Sequence, residues 1–246
     1  MTNKADITYN ETFSIYKRLN RSENRFFYNK NILLLGSDGF LGKSFLDYFK
    51  LLIKKKIYFK LDCVDNNISS LKQKKSKNRY INYYNEDLNN FKRKNKYDII
   101  IFLAGIASPT IYKKHPLEAL EVSYLGAKKY LEYSKKDKSL FIFFSSSEIY
   151  GDPDKYNVPT KETYRGNVSS MGPRACYDES KRLGETLCYI YSNYFNVHTN
   201  IIRPFNIYGP GMGQNDYRIF PNFVSNILQN KPVSIYGSGN QTRTYC

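Results

Sequence analysis

The segment "NILLLGSDGFLG" at residues 31–42 constrains the fold of this chain more than any other. An apolar run typical of a buried strand leads directly into three spaced glycines, and a helical apolar pattern follows. In such a turn, Gly36 permits the tight bend, Gly39 lets the backbone approach a pyrophosphate, and Gly42 allows close packing of helix on strand. Because the amino end of the helix would face the anion, the segment predicts a dinucleotide-binding unit rather than a purely structural turn.

Strand-like and helix-like segments alternate along the chain. Continuous apolar runs such as "YDIIIFLAG" are typical of parallel strands buried on both faces. The predicted strands cover residues 31–36, 58–65, 80–87, 97–105, 139–147 and 197–206, with a long helix over 116–136. This pattern predicts an α/β fold with a Rossmann-like, doubly wound parallel sheet. We expect an N-terminal extension (1–29), a dinucleotide-binding domain (30–205) and a small, incomplete C-terminal substrate lobe (206–246).

Composition excludes several other classes of protein. The net charge of +16 comes mostly from lysines scattered between the predicted strands, as in "LKQKKSKNR", which predicts a solvated surface and no nucleic-acid partner. The four cysteines form no CxxC pair and there are two histidines, so we expect no metal. No apolar run approaches the ~18 residues of a membrane span, and the N-terminus lacks the apolar core of a secretory signal. The expected protein is cytoplasmic, without a membrane partner.

An acidic residue at the end of the second strand should bind the adenosine ribose of a dinucleotide. Asp65 in "CVDNN" fills this position, at a longer spacing from the glycines than the usual ~20 residues. Asp62 is the alternative. A carboxylate there repels a ribose phosphate, so NAD is favoured over NADP.

The stretch "GPRACYDESKR" places Tyr177 four residues before Lys181, on one face of a helix. A free phenol titrates near pH 10, and a neighbouring ammonium favours the phenolate. The pair therefore predicts a proton acceptor beside a nicotinamide, and Ser146 in "FFSSSEIYG" supplies a neighbouring hydroxyl. The alternative is a helix surface that carries both residues by chance.

From about residue 30 to its end, the chain resembles the extended short-chain dehydrogenases/reductases that modify nucleotide sugars. The glycine spacing GxxGxxG and the YxxxK pair are shared across that superfamily. Within it, the chain is most similar to the UDP-glucuronate decarboxylases. This similarity rests on "LAGIASP", "SSSEIYGDP", "GPRACYDESKR", "RPFNIYGPGM" and "YGSGNQTR".

The resemblance implies roles for individual residues. Those implied to bind NAD, along the pyrophosphate, ribose, adenine and inner side, are Gly36, Gly39, Phe40, Leu41, Gly42, Asp65, Asn66, Asp87, Leu88, Leu103, Ala104 and Gly105, together with Tyr177 and Lys181. Those implied to be catalytic are Ser146, Tyr177 and Lys181, with Glu148 near the reacting sugar carbons. Those implied to bind the UDP-sugar are Ser108, Asn206 and Arg243.

The reaction implied by the resemblance is redox-neutral decarboxylation of UDP-glucuronate to UDP-xylose through a 4-keto intermediate, by a homodimer. The alternatives are a nucleotide-sugar 4-epimerase or 4,6-dehydratase, and a truncated, inactive protein that binds NAD or a nucleotide sugar. Two departures from the family pattern stand out besides Ser146, which replaces a threonine. Ser123 replaces an asparagine near the cofactor, and the chain stops at Cys246 where family members continue. We therefore expect NAD binding with weak UDP-sugar binding and little turnover.

Overall fold

Parallel strands form one sheet in the computed structural model, which describes residues 4–68, 78–213, 218–235, 237–240 and 242–246. The strands in these ranges are β1 (Asn31–Leu35), β2 (Lys60–Asp65), β3 (Ile81–Asn85), β4 (Ile99–Phe102), β5 (Leu140–Phe144) and β6 (Thr199–Ile202). Their order is β3-β2-β1-β4-β5-β6, and every neighbouring pair is parallel. The order reverses between β1 and β4, where open α/β sheets bind ligands. The predicted doubly wound, Rossmann-like fold is confirmed.

Helices pack on both faces of the sheet. In the described ranges they are α1 (Lys4–Arg18), α2 (Arg21–Asn24), α3 (Phe40–Lys54), α4 (Pro109–Tyr112), α5 (Pro116–Glu121), α6 (Ala127–Asp137), α7 (Ala175–Phe195) and α8 (Ile219–Leu228). A π-helical turn, Val122–Gly126, joins α5 to α6, and a 3₁₀ turn, Ser147–Tyr150, follows β5. None of the helices in the described part of the chain is long and apolar enough to cross a membrane.

The core lies on both sides of the central strands, as the unbroken apolar run of β1 requires. Leu33 packs in a cluster with Leu131 of α6, whereas Leu34 packs on the opposite face with Phe49 of α3. All four side chains are fully buried. Each contributes about 1.5–3 kcal/mol by leaving water. This two-sided burial holds the end of β1 rigidly at the centre of the sheet.

The N-terminal extension packs against this domain. Helix α1 lies on α3, and the ring of Phe27 meets the ring of Phe49 edge-on, with centroids 5.1 Å apart. The boundaries expected at residues 29 and 205 stay predictions.

Several elements differ in extent from the sequence prediction. The strand expected over 97–105 ends at Phe102, so its last residues form a loop at the edge of the sheet. The strand expected over 197–206 ends at Ile202, and Pro204 beyond it has no N–H to donate to a ladder. The helix expected over 116–136 forms, but with the π-helical turn inside it. Most of the basic segment at 71–79, and positions 236 and 241 of "YGSGNQTR", lie outside the described residues.

Candidate active site

The turn between β1 and α3 forms a concave backbone cradle. Gly36 adopts the left-handed conformation, with φ of 82°. A side-chain carbon placed on Gly42 would lie 2.1 Å from the carbonyl oxygen of Gly36, so only glycine permits this approach of helix to turn. The start of α3 therefore packs directly against the backbone of the turn.

The cradle fits the pyrophosphate of a dinucleotide. Gly39 is the N-cap residue of α3 and makes no side-chain capping bond, and Phe40 and Leu41 begin the helix. The first backbone N–H groups of a helix have no intrahelical acceptor, and they favour a bound anion. The five residues expected to bind the pyrophosphate therefore lie together at one helix terminus.

Asp65 and Asp62 have clearly different environments. Asp65 ends β2, and its carboxylate accepts hydrogen bonds from the backbone N–H groups of Asp38 (2.9 Å) and Asn67 (3.2 Å). Asp62 is buried within the strand and accepts a hydrogen bond from the Tyr97 hydroxyl at 2.6 Å. The alternative assignment to Asp62 is therefore wrong, because its carboxylate faces the core. Asp65 lies beside the cradle, with Asn66 next to it in the loop.

The loop after β3 carries the two residues expected beside the adenine. The Asp87 carboxylate accepts a hydrogen bond from the Asn89 N–H at 2.7 Å, and Leu88 packs against the core. The Glu86 N–H donates to the carbonyl oxygen of Asp65 at 3.1 Å. The expected ribose and adenine residues are therefore neighbours in space.

The end of β4 links the cradle to the helix that carries the tyrosine–lysine pair. The Leu103 N–H donates to the Leu35 carbonyl oxygen at 3.0 Å. A side-chain carbon placed on Gly36 would lie 2.8 Å from the Ala104 nitrogen, and one on Gly105 would lie 3.1 Å from Nζ of Lys181. The three residues expected to line the inner side of the cofactor therefore join the two halves of the site.

Tyr177, Lys181 and Ser146 come together beside this loop. Tyr177 and Lys181 lie on α7 and are buried, and Nζ of Lys181 is 5.9 Å from the centre of the Tyr177 ring. The Ser146 hydroxyl lies close enough to the Tyr177 phenol to lower its pKa. Ser146 also accepts a hydrogen bond from the Glu148 N–H at 3.2 Å and thereby caps the 3₁₀ turn. The structure thus brings the three expected catalytic residues into one group.

Burial changes the pKa of both members of the pair. Burial raises the pKa of the Tyr177 phenol; the hydrogen bond from Ser146 opposes this effect, and the Glu148 carboxylate adds to it. Burial lowers the pKa of Lys181 to about 8. Burial thus opposes the phenolate, and the preference for it expected beside Lys181 and the nicotinamide stays a prediction. The Lys181 ammonium itself donates to the carbonyl oxygen of Phe144 at 2.9 Å.

Arg174, at the start of α7, was not predicted from the sequence. It contacts two carboxylates. Its guanidinium forms an ion pair with Glu148, and its Nε contacts Asp178 at 3.4 Å. Burial raises the pKa of Asp178, and Arg174 opposes that rise. The other Asp178 oxygen, Oδ1, is buried without a hydrogen-bond partner in the described structure. The i, i+4 spacing of Arg174 and Asp178 was a signal for the second contact, but no sequence rule indicates the first.

A second residue missed from the sequence is Tyr112 at the end of α4. Its ring stacks on Tyr177, with centroids 5.6 Å apart and planes 6° from parallel. This contact fixes the plane of the Tyr177 ring, so packing restricts the direction of its hydroxyl.

The residues expected to bind substrate lie on the outer loops. Ser108 precedes α4, and its hydroxyl lies 2.9 Å from that of Thr110. Asn206 donates through its side-chain amide to the Thr244 carbonyl oxygen at 2.9 Å, which places it beside the segment that carries Arg243. Arg243 is exposed and donates to the Thr242 carbonyl oxygen at 2.8 Å. Their roles stay predictions.

The doubly wound sheet, with a glycine-rich turn where its order reverses and a Tyr-x-x-x-Lys helix beside that turn, defines a nucleotide-binding protein of the short-chain dehydrogenase/reductase class. Residues 32–246 match the NAD dependent epimerase/dehydratase family, and the chain belongs to that family. The cofactor predicted from the sequence, NAD, is thereby confirmed. Nucleotide-sugar modification is the function that the relatives support.

Curated relatives and solved structures agree on this class. UDP-glucuronic acid decarboxylase 1 of Xenopus tropicalis is 36% identical over 220 residues, 88% of this chain and 50% of that protein. UDP-glucuronic acid decarboxylase 4 of Arabidopsis thaliana is 43% identical over 148 residues, 60% of this chain and 33% of that protein. The chain therefore spans about half the length, or less, of these relatives.

Two solved epimerases share the fold. The UDP-N-acetylglucosamine 4-epimerase of Methanobrevibacter ruminantium superposes with a TM-score of 0.75 at 26% identity, covering 89% of this chain and 69% of that one. A mutant of the Bacillus cereus UDP-glucuronic acid 4-epimerase, in complex with UDP-4-deoxy-4-fluoro-glucuronic acid and NAD, gives a TM-score of 0.69 at 26% identity. It covers 87% of this chain and 68% of that one.

Proposed function

We propose that this protein decarboxylates UDP-glucuronate to UDP-xylose in an NAD-dependent, redox-neutral reaction. The observation that carries the proposal is the grouping of Tyr177 and Lys181, which are buried side by side on α7. Ser146 lies close enough to affect the Tyr177 pKa, and the end of β4 links the group to the glycine cradle. The likeness to UDP-glucuronic acid decarboxylases selects the substrate and the reaction.

In the proposed reaction, Tyr177 takes the proton of the sugar 4-hydroxyl and later returns it. Bound NAD⁺ supplies the hydride acceptor and donor, and its positive nicotinamide favours the phenolate that a buried Tyr177 otherwise disfavours. The Ser146 hydroxyl lowers the pKa of the phenol, and the stacked Tyr112 ring holds the phenol in its plane. Lys181 would hold the nicotinamide ribose.

The 4-ketone formed on the sugar accepts the electron pair that is released when the carboxylate leaves as CO₂. The resulting enolate takes up a proton at C5, and the ketone is then reduced by the returning hydride. Glu148 would lie near the reacting carbons, held by Arg174. Asn206 and Arg243 would bind the diphosphate, a role suited to an amide and a guanidinium. The homodimer and the cellular location expected from the sequence stay predictions.

A nucleotide-sugar 4-epimerase or 4,6-dehydratase is the second candidate. It is favoured by the solved relatives, among them a UDP-glucuronic acid 4-epimerase and a dTDP-glucose 4,6-dehydratase. The same Ser-Tyr-Lys group would serve, with the 4-keto sugar reduced on its other face or dehydrated.

The deciding experiment incubates the protein with NAD and a panel of nucleotide sugars, and identifies the products by mass spectrometry. Release of CO₂ and formation of UDP-xylose from UDP-glucuronate would support the proposal. Formation of UDP-galacturonate without CO₂ would replace it with the epimerase. Binding of NAD without turnover of any sugar would favour a non-catalytic binding protein.

A further inference from the structure

Lys129 of helix α6 contacts the loop that follows β3 through three hydrogen bonds. Nζ of Lys129 lies 2.8 Å from the carbonyl oxygen of Leu88, 2.7 Å from that of Asn89 and 2.7 Å from that of Phe91. An ammonium has three protons to donate, and all three are used on this loop. A surface lysine commonly points into water, so this convergence needs another explanation.

Two further residues of the same helical face hold the same loop. The Tyr130 hydroxyl donates to the Leu88 carbonyl oxygen at 2.8 Å. Gly126 lies so close to the loop that an added side-chain carbon would be 2.7 Å from Cδ1 of Leu88. Positions 126, 129 and 130 share one face because they are three and four residues apart.

The electrostatic environment of Lys129 fits this contact. Desolvation lowers the pKa of Lys129, and the carboxylates of Asp87 and Glu86 act in the opposite direction. The ammonium thus stays near two acidic side chains of the loop it binds. The loop starts beside Asp65, because the Glu86 N–H donates to the Asp65 carbonyl oxygen.

We propose that Lys129 is a positioning residue for the adenine end of NAD, a role that rests on the proposed cofactor contacts of Asp87 and Leu88. A dinucleotide that runs from the glycine cradle past Asp65 would meet this loop next. Lys129 fixes the loop before the ligand arrives, so that binding does not have to order it. We expect its effect to be confined to the adenylate half of NAD, because all three hydrogen bonds of the Lys129 ammonium go to this loop.

The test compares Lys129→Met with Lys129→Arg and with Lys128→Met, whose lysine is the exposed neighbour on α6. Affinities are measured by calorimetry for NAD and AMP, and by NMR titration for nicotinamide mononucleotide. We expect Lys129→Met to weaken NAD and AMP about tenfold or more through lost preorganisation, and to leave the mononucleotide unchanged. Lys129→Arg should recover part of the loss, and Lys128→Met should match the wild type.

Unchanged AMP affinity in Lys129→Met would overturn the inference, as would an equal loss for AMP and nicotinamide mononucleotide. Circular dichroism and thermal unfolding show whether Lys129→Met folds. If it does not, Lys129→Arg is compared with the wild type, because arginine keeps the charge but not the three-way contact. Weaker AMP binding by Lys129→Arg then supports the inference, and unchanged AMP binding overturns it. If the wild type binds NAD and AMP but converts no nucleotide sugar, the proposed function fails while this inference is still tested.

Discussion

The Lys181 ammonium donates a hydrogen bond to the carbonyl oxygen of Phe144, 2.9 Å away, and thereby ties α7 to the end of β5. Ser146 follows Phe144 by two positions, and Tyr177 precedes Lys181 by one helical turn. One buried contact therefore helps to set the distance between the Ser146 and Tyr177 hydroxyls. Lys181 has a structural role as well as the chemical role proposed for it.

This burial has a consequence for the pH dependence of stability. The pKa of Lys181 falls from 10.5 to about 8 in the folded protein, so below pH 8 the native state holds a buried charge that the unfolded state solvates. Between pH 8 and 10.5 the unfolded state binds more protons, and the contribution of Lys181 to stability rises with pH. The stability of Lys181→Met relative to wild type should therefore fall by up to about 3 kcal/mol from about pH 7 to about pH 10.

Urea unfolding at about pH 7, 8, 9 and 10 measures this difference, and Lys128→Met is the exposed-lysine control. A difference between Lys181→Met and wild type that does not change with pH would contradict the argument.

Tyr177→Phe should abolish most catalysis while leaving NAD affinity nearly unchanged. The substitution removes the hydroxyl but keeps the ring that stacks on Tyr112. Loss of a general base typically lowers the rate by ~10²–10⁴-fold. Product formation from UDP-glucuronate and calorimetry with NAD are the measurements. Tyr189→Phe, an exposed tyrosine of the same helix, should behave as wild type. Retention of the rate in Tyr177→Phe would show that Tyr177 is not the proton acceptor.

Arg174→Gln should reduce turnover through Glu148. The substitution releases the Glu148 carboxylate, and misplacement of a group near the reacting atoms can cost about 10²-fold. A double-mutant cycle with Glu148→Gln measures the coupling. We expect the double variant to be no slower than the slower single variant. Losses of turnover that add in the double variant would instead show that Arg174 and Glu148 act independently. Arg93→Gln, which breaks the ion pair with Asp137 elsewhere on the molecule, is the control.

The protein should bind NAD more tightly than NADP, because the Asp65 carboxylate repels a ribose phosphate. Asp65→Asn keeps an oxygen that can accept from the Asp38 N–H and removes the charge, so the preference should shrink. Calorimetry with both cofactors measures it, with Asp47→Asn on the outer part of α3 as the control. Equal or tighter NADP binding by the wild type would refute the assignment.

Gly42→Ala should weaken NAD binding sharply and lower stability. Its side-chain carbon would meet the Gly36 carbonyl oxygen at 2.1 Å, and that oxygen belongs to the backbone, so the cradle must open. Overpacking of this kind commonly costs about 1–3 kcal/mol. Gly213→Ala, where nothing lies within 4 Å of the added carbon, is the matched control. Thermal unfolding and NAD titration report the two effects; wild-type affinity in Gly42→Ala would mean that the cradle does not hold the cofactor.

The sheet, the glycine turn and the Tyr177–Lys181 pair could be predicted from the sequence, because each depends on residues that are close together along the chain. A buried parallel strand needs a short apolar run, and the Tyr177–Lys181 pair needs only helical spacing. The glycine turn is likewise read over a few consecutive positions. Each of these features depends on residues that are adjacent or one helical turn apart, so no knowledge of the tertiary structure was needed.

The remaining features depend on contacts between distant segments. Arg174 reaches Glu148 across 26 positions, and Lys129 reaches the Leu88 carbonyl across 41. Neither spacing corresponds to a helical or strand period. The direction of the Tyr177 pKa shift also escaped the sequence, because it depends on how completely the phenol is buried. The choice between Asp62 and Asp65 likewise depends on which carboxylate faces the core, and the sequence does not show this.

The strand order has a kinetic consequence. The central pair of strands joins Ile32 to Ile99, so β1 and β4 meet only after a long intervening segment has been brought together. Contacts of such sequence separation slow folding, because loop-closure entropy is lost before they form. The glycine cradle and the end of β4 lie on either side of this seam, so neither is a binding surface alone. We expect affinity for the dinucleotide to emerge late in refolding, so the fluorescence of added NADH would report when the sheet has closed.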